Sequence, residues 1–356
     1  MKFAYFSHVW GRPDITPAQR FAELWDEVEL AEETGFDYAF SVEHHYNPKE
    51  SWMPSPAIFC AAVALRTERI RFGPMGYVPS LYHPLRIAEE VATLDQMSGG
   101  RLDVGLAAGV TPDFFGAYGA DFERRKERTN EAVDLLRTAM AANGPITFEG
   151  PAHRFADTTL SFGGVQRPHP PIWVPTTNPA TLRHLAEIGA HTSTTMLLPR
   201  AALGTVYRHY VDWWRAAGHS GGPDIGYWTL VHVAETDQEA MERAFPQIVH
   251  TLTKTLGYGP GENTRAGGSV ACRSGLSTAD ILEHADDSDF LRRHRLVFVG
   301  SPETVAGQIR DAAAEGCFNT LLGELNFGWL SPAELRRSAS LFGTEVMPAL
   351  RDYTPY

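Results

Sequence analysis

Cysteine is scarce. Three residues, Cys60, Cys272 and Cys317, occur in a chain of 356. Their odd number and wide spacing argue against a disulfide framework, and no paired spacing suggests a structural zinc site. A reducing, cytoplasmic setting fits such a chain. Positive charge is short as well: 31 Lys and Arg face 43 Asp and Glu, a formal net charge of −12. The densest basic runs, Arg124-Arg125-Lys126 and Arg292-Arg293, read as solvated helix faces. No basic stripe is available for nucleic acid or an anionic membrane. Long apolar runs are missing too. No stretch reaches the roughly 18 residues of a membrane span, and the opening MKFAYFSHVW lacks the apolar segment and cleavage site of a signal peptide. No low-complexity linker or internal repeat divides the chain, so residues 1–356 read as one domain.

What is present is an alternation of short apolar runs and amphipathic helical patterns. Phe3 to Phe6 reads as a buried strand, and a helix follows from about Pro17, with Thr16 as its cap and Gly35 as its stop. Strands are then expected at 38–42, 70–74, 102–107, 172–174, 191–195, 225–234 and 318–325. Helices are expected at 55–66, 84–97, 121–142, 179–188, 200–217, 237–256, 302–315 and 331–347. Residues 146–164, with Gly150, Pro151, Gly163 and Gly164, look like a hairpin-like insertion. Strands and helices in this order imply parallel βαβ units. About eight pairs favour an α/β fold of the TIM (β/α)8 barrel type, which takes roughly 250 residues before insertions. Residues 257–296 break the rhythm. That connection begins GYGPGENTRAGGS and, at about 40 residues, is too long for an ordinary loop, which points to a disordered stretch or a lid over a site.

In a TIM barrel the site lies at the C-terminal ends of the strands. The second strand ends in Glu43-His44-His45. Neighbouring strand residues point to opposite faces, so both histidines should not meet one ligand, and a metal pair is disfavoured. One of the two can face the barrel mouth as an acid or base near neutral pH. The third strand ends in Gly73-Pro74-Met75-Gly76, which marks either a sharp turn or a close approach to a flat ligand. Small residues Gly105, Ala107, Ala108 and Gly109 end the fourth strand. The fifth leads into Pro175-Thr176-Thr177-Asn178-Pro179, where Thr and Asn either cap a helix or help its N-terminus hold a phosphate. Arg128 can supply a cation there or lie on the surface. Trp10, Trp52, Tyr77 and Phe114 follow strand ends and are candidates to line an apolar pocket.

Together Glu43-His44-His45, His83-Pro84-Leu85-Arg86, Leu94-Asp95-Gln96-Met97-Ser98-Gly99-Gly100-Arg101, Gly300-Ser301-Pro302 and Phe342 to Pro348 resemble the bacterial luciferase family. The likeness, to the luciferase alpha subunit, runs from Met1 to about Leu350. It implies a monooxygenase that uses reduced FMN as an exchangeable co-substrate, forms a flavin hydroperoxide with O2, and oxygenates an aldehyde, a ketone or a natural-product intermediate. It implies His44 as the catalytic histidine and a cis peptide at Met75-Gly76 beneath the flavin ring. Ala107 takes the place of a reactive cysteine near the flavin. Phosphate contacts fall on Arg128 and on the turn from Pro175 through Thr177 and Asn178 to Thr181. The resemblance also implies a mobile lid at 257–296, a flavin reductase as supplier, and a homodimer formed near 84–97.

Four departures matter. Ala107 replaces the cysteine, Ala108 an arginine, Thr177 a glutamate and Met196 a tryptophan. The altered charge at the phosphate points to loose flavin binding, and the other losses point away from light emission. Deazaflavin-dependent hydride transfer on the same fold is one alternative; a non-catalytic flavin-binding partner subunit is another. His44 and the long lid favour catalysis.

Overall fold

The computed structural model describes residues 1–258 and 276–356. Its first strand, β1 (Lys2–Ser7), is buried at every position after Lys2. Helix α1 (Pro17–Glu33) starts where Thr16 accepts from the Gln19 amide while the Gln19 side chain accepts from the Thr16 amide. That reciprocal cap satisfies two donors a helix start otherwise leaves open. The pattern continues as β2 (Tyr38–Ser41), α2 (Pro56–Arg66), β3 (Arg71–Pro74), α3 (Pro84–Ser98) and β4 (Val104–Gly105). Helices α4 (Pro112–Tyr118) and α5 (Arg125–Ala141) precede an antiparallel hairpin, β5 (Ile146–Glu149) and β6 (Arg154–Thr158). Then come β7 (Ile172–Trp173), α6 (Pro179–Ile188), β8 (Thr192–Thr195), α7 (Arg200–Ala216), β9 (Ile225–Val233) and α8 (Asp237–His250). The chain closes with α9 (Thr278–Glu283), α10 (Ser288–Arg293), β10 (Phe298–Gly300), α11 (Pro302–Gly316), β11 (Thr320–Glu324), α12 (Pro332–Leu341) and α13 (Met347–Leu350).

Eight of these strands form a closed parallel ring. β1 pairs with β2 and with β11, β2 with β3, β4 with β7, β8 with β9, and β9 with β11. The two remaining junctions are parallel bridges, Phe72 to Leu102 and Tyr77 to Leu106 on one side, Trp173 to His191 on the other. The order β1-β2-β3-β4-β7-β8-β9-β11 is that of a TIM barrel, with a core that includes Phe3, Tyr5, Phe40, Phe72, Trp173 and Tyr227. Among the described residues β10 pairs only with Val231–Val233, the part of β9 that runs on past the ring.

Glycine sets how closely β3 and β4 approach. A Cβ at Gly73 would stand 2.2 Å from the Asp103 carbonyl oxygen, and one at Gly105 2.2 Å from that of Pro74. At Gly76 too, the atoms a Cβ would meet are backbone of Gly105 and Leu106.

Several boundaries differ from the sequence reading. The helix expected from residue 121 begins at Arg125, and α4 stands before it, stopped by Gly119 at φ 66°. The helix expected over 237–256 ends at His250 and widens into a π turn over Thr251–Thr255. The last helix is likewise split by a π turn at Phe342–Val346. Of the expected lid, residues 259–275 lie outside the described residues. The part from 276 to 296 is not open loop: α9 and α10 bury Ile281, Leu282, Phe290 and Leu291, Leu296 is buried after them, and Arg200 donates to the carbonyls of His294 and Arg295.

Candidate active site

The two adjacent histidines lie in the loop after β2, beyond the strand's end at Ser41, and they take separate partners. His45 turns into the wall, where its Nε2 lies 2.9 Å from Glu43 Oε1. The same carboxylate accepts the Tyr82 hydroxyl at 2.9 Å and the Val78 amide at 2.9 Å. With Glu43 and His45 both buried, this network holds the loop. His44 turns instead to the barrel mouth. Its Nδ1 lies 3.0 Å from Glu50 Oε1, an ion-pair distance without hydrogen-bond alignment. Burial alone would raise the Glu50 carboxyl, but the His44 ring, with His8 and the Asn47 amide beyond it, holds it down to about 2. Phe114 covers His44, with ring centroids 6.0 Å apart.

Facing His44 stands a second imidazole. His8 follows β1, and its ring meets that of His44 edge to face at 5.6 Å. Its Nδ1 is 2.7 Å from Glu324 Oε2 and its amide donates to Glu324 Oε1 at 2.9 Å. Trp228 Nε1 donates to the same carboxylate at 3.0 Å. Trp10 stacks on His8 at 4.2 Å and 14°, and its own indole nitrogen is buried without a partner among the described residues.

The remaining candidates sit on the same barrel face, at the ends of β3, β4 and β7. Met75-Gly76 is a cis peptide. The Ala107 amide donates to the Tyr77 carbonyl at 2.7 Å. Asn178 caps α6, its Oδ1 accepting from the Thr181 amide at 3.1 Å, and Pro175, Thr177 and Thr181 are partly exposed beside it. Arg128 lies one turn into α5. α5 and α6 run the same way down the barrel and are joined by His184 and Asp134 at 3.5 Å. Six residues upstream of that pair stand Asn178 on one helix and Arg128 on the other, both about 9 Å above it at 1.5 Å per residue. Arg128 also meets Glu131 at 3.4 Å, while that carboxylate accepts the amides of Ala152 and His153 and ties down the hairpin.

One pocket candidate is corrected. Tyr77 faces away from the mouth, its hydroxyl donating to Glu90 on α3. Trp52 holds its own loop through a bond to the Pro48 carbonyl. Trp10 and Phe114 do pack around the histidines. The sequence reading overlooked His8, Glu50, Trp228 and Glu324. The strand-end rule, applied to the first and last barrel strands, would have found His8 and Glu324.

A closed parallel barrel with paired acid–base groups at its C-terminal mouth defines a TIM-barrel enzyme. Residues 1–319 match the family described as luciferase-like monooxygenase, and the chain belongs to that family. A solved structure of monooxygenase RslO1 from Streptomyces bottropensis superposes with a TM-score of 0.84 at 29% identity, covering 98% of this chain and 99% of that one. The FMNH2-dependent dimethylsulfone monooxygenase of Pseudomonas putida is 24% identical over 339 residues, 91% of this chain and 86% of that protein. An uncharacterised protein of Sinorhizobium fredii is 35% identical over 192 residues, and the match spans 54% of this chain and 55% of that one.

Proposed function

We propose that this chain is the oxygenase of a two-component system. It takes reduced FMN from a separate flavin reductase, together with O2, and oxygenates a small organic molecule. The observation that carries the reading is His44, paired with an ionised Glu50 at the mouth of a barrel whose family is oxygenating. The name of the Pseudomonas putida relative supports reduced FMN as the flavin.

The residues present fit that cofactor. An anionic group suits the start of α6, where the Thr177 hydroxyl and the Ala180 amide lie beside Asn178, whose Oδ1 takes the Thr181 amide and hydroxyl. Arg128 adds a cation. Pro175 shapes the turn, and Met75, Gly76 and Ala107 form the floor for the ring. Trp10 Nε1, buried without a hydrogen-bond partner among the described residues, stands ready for a polar edge. Bound reduced flavin supplies the activation of O2. His44 holds or moves a proton at the mouth, beside the Glu50 carboxylate. The aromatic wall of Trp10, Phe114 and Trp228 keeps water from that proton. We also propose a homodimer in the cytoplasm.

Photoreduced FMN mixed with the protein and then with O2 should reoxidise more slowly than in buffer; an equal rate would sink the reading. His44→Ala should lower turnover roughly a hundredfold or more, the usual contribution of a positioned acid or base, while FMN affinity persists. Unchanged turnover would remove His44 from the chemistry.

A further inference from the structure

We infer that His8, held by Glu324, is a second acid–base group at the barrel mouth, and that it serves a weakly acidic aromatic substrate, a phenol. The inference rests on the oxygenase reading for its use, and on the geometry of His8 for its chemistry.

Glu324 is fully buried and receives three donors: the His8 amide, the Trp228 indole and His8 Nδ1. An acceptor-only role for all three suits a carboxylate. With Nδ1–H directed at that carboxylate, the neutral ring keeps its lone pair on Nε2. That nitrogen has no hydrogen-bond partner among the described residues. A buried carboxylate that fixes the tautomer and stabilises the imidazolium is the arrangement that makes a histidine a base. His8 is therefore poised to take a proton, and it faces His44, the group already assigned to proton handling, across 5.6 Å.

The surroundings choose the proton's source. Trp10 covers one face of His8, and Trp228 and Phe6 meet its edges at 5.0 and 5.3 Å. Aromatic walls fit a planar ring. A fixed base is useful only to a substrate with an acidic proton, which an alkyl aldehyde or a simple ketone lacks near neutral pH. In the step proposed, the phenolic O–H bond breaks, its electron pair stays on oxygen, and the proton bonds to His8 Nε2. Glu324 balances the imidazolium so formed. Trp10 Nε1, buried beside the same imidazole and unpartnered among the described residues, is a donor for the phenolate oxygen. The phenolate ring is the electron-rich form that attacks an electrophilic oxygen.

The probe is 4-nitrophenol, whose phenolate absorbs in the visible, added to the flavin-free protein at a pH where the dye is mostly protonated in buffer. The bound dye should show a phenolate-to-phenol ratio about tenfold above that in buffer, the equivalent of one pKa unit. His8→Gln should abolish the gain. Glu324→Gln should reduce it while the dye still binds and circular dichroism stays native, a split that a purely structural role would not produce. If His8→Gln fails to fold, Glu324→Gln decides. A dye bound fully protonated, a dye that does not bind, or a gain that survives these substitutions overturns the proposal. Flavin is absent from this assay, so its failure leaves the oxygenase reading standing. Ordinary flavin reoxidation with dye ionisation intact would sink the oxygenase reading alone.

Discussion

Arg20 and Glu27 stand two turns apart on α1, and both lie inside the protein. The guanidinium meets the carboxylate twice, at 2.8 and 3.2 Å. Tyr5 donates its hydroxyl to the same carboxylate at 2.8 Å, and Asn326 donates from the far end of the chain. Burial pushes the Tyr5 hydroxyl well above its ordinary value, and the Glu27 charge adds to the effect, so Tyr5 is a donor at any working pH. Glu27→Ala leaves a buried cation and two donors without their acceptor. Its expected cost is about 3–5 kcal/mol, the range for breaking one side of a buried ion pair, read as a lower urea midpoint. A loss below about 1 kcal/mol would mean that water reaches the site and the pair behaves as a surface bridge. Side-chain partnerships of this kind explain what the sequence hid. His44 was legible because it follows a strand within a few residues. Glu324 is 316 residues from His8, and no local pattern links the two. Glu50 lies in an irregular loop where periodicity says nothing.

At the scale of elements, starts and stops were legible where proline and glycine mark them. Pro17, Pro56, Pro84, Pro179, Pro302 and Pro332 each open a helix, where a missing amide costs nothing. α9 and α10 were missed because six residues give too few turns for a hydrophobic stripe. β9 carries an element-level consequence. His232, on its extension past the ring, is fully buried, and neither ring nitrogen has a partner among the described residues. Arg243 on α8 and Glu334 on α12 are the charges that face it. Burial, reinforced by Arg243, lowers its pKa from 6.5 to about 4. The folded state therefore prefers the neutral ring. Above pH 6.5 neither state binds the proton and the stability is fully present; below it the unfolded chain does, so stability falls as pH drops toward 4 and the loss then levels off. Over such a window the loss is on the order of 3 kcal/mol. Urea unfolding at a series of pH values should show this acid slope, and His232→Phe should flatten it. The comparison of the two proteins isolates the effect, because burial also lowers His169 and His191. Parallel slopes would mean that His232 finds a partner when protonated.

At the scale of the whole molecule, the alternation of strands and helices was enough to read the barrel, because each βαβ unit is local and eight of them close a ring. What covers the outside is less local. On α2, Ile58 is 66% exposed and Leu65 75% exposed, with Ala61 and Ala62 between them on the same face. Trp25 and Phe21 of α1 pack half-buried against the core nearby, and Met97 of α3 is 42% exposed. Apolar area left in water forgoes about 25 cal/mol per Å2. A second copy related by a twofold axis would cover the stripe with the same stripe, the usual closed solution for a soluble protein. Sedimentation should therefore find a dimer of 39.3 kDa subunits. Leu65→Glu places a charge at one end of that stripe and should shift the protein to the monomer mass, with far-ultraviolet circular dichroism unchanged because the side chain is largely exposed. The direction of the change is decisive. A wild-type protein already monomeric at micromolar concentration removes the dimer, and a Leu65→Glu protein still dimeric moves the interface off α2.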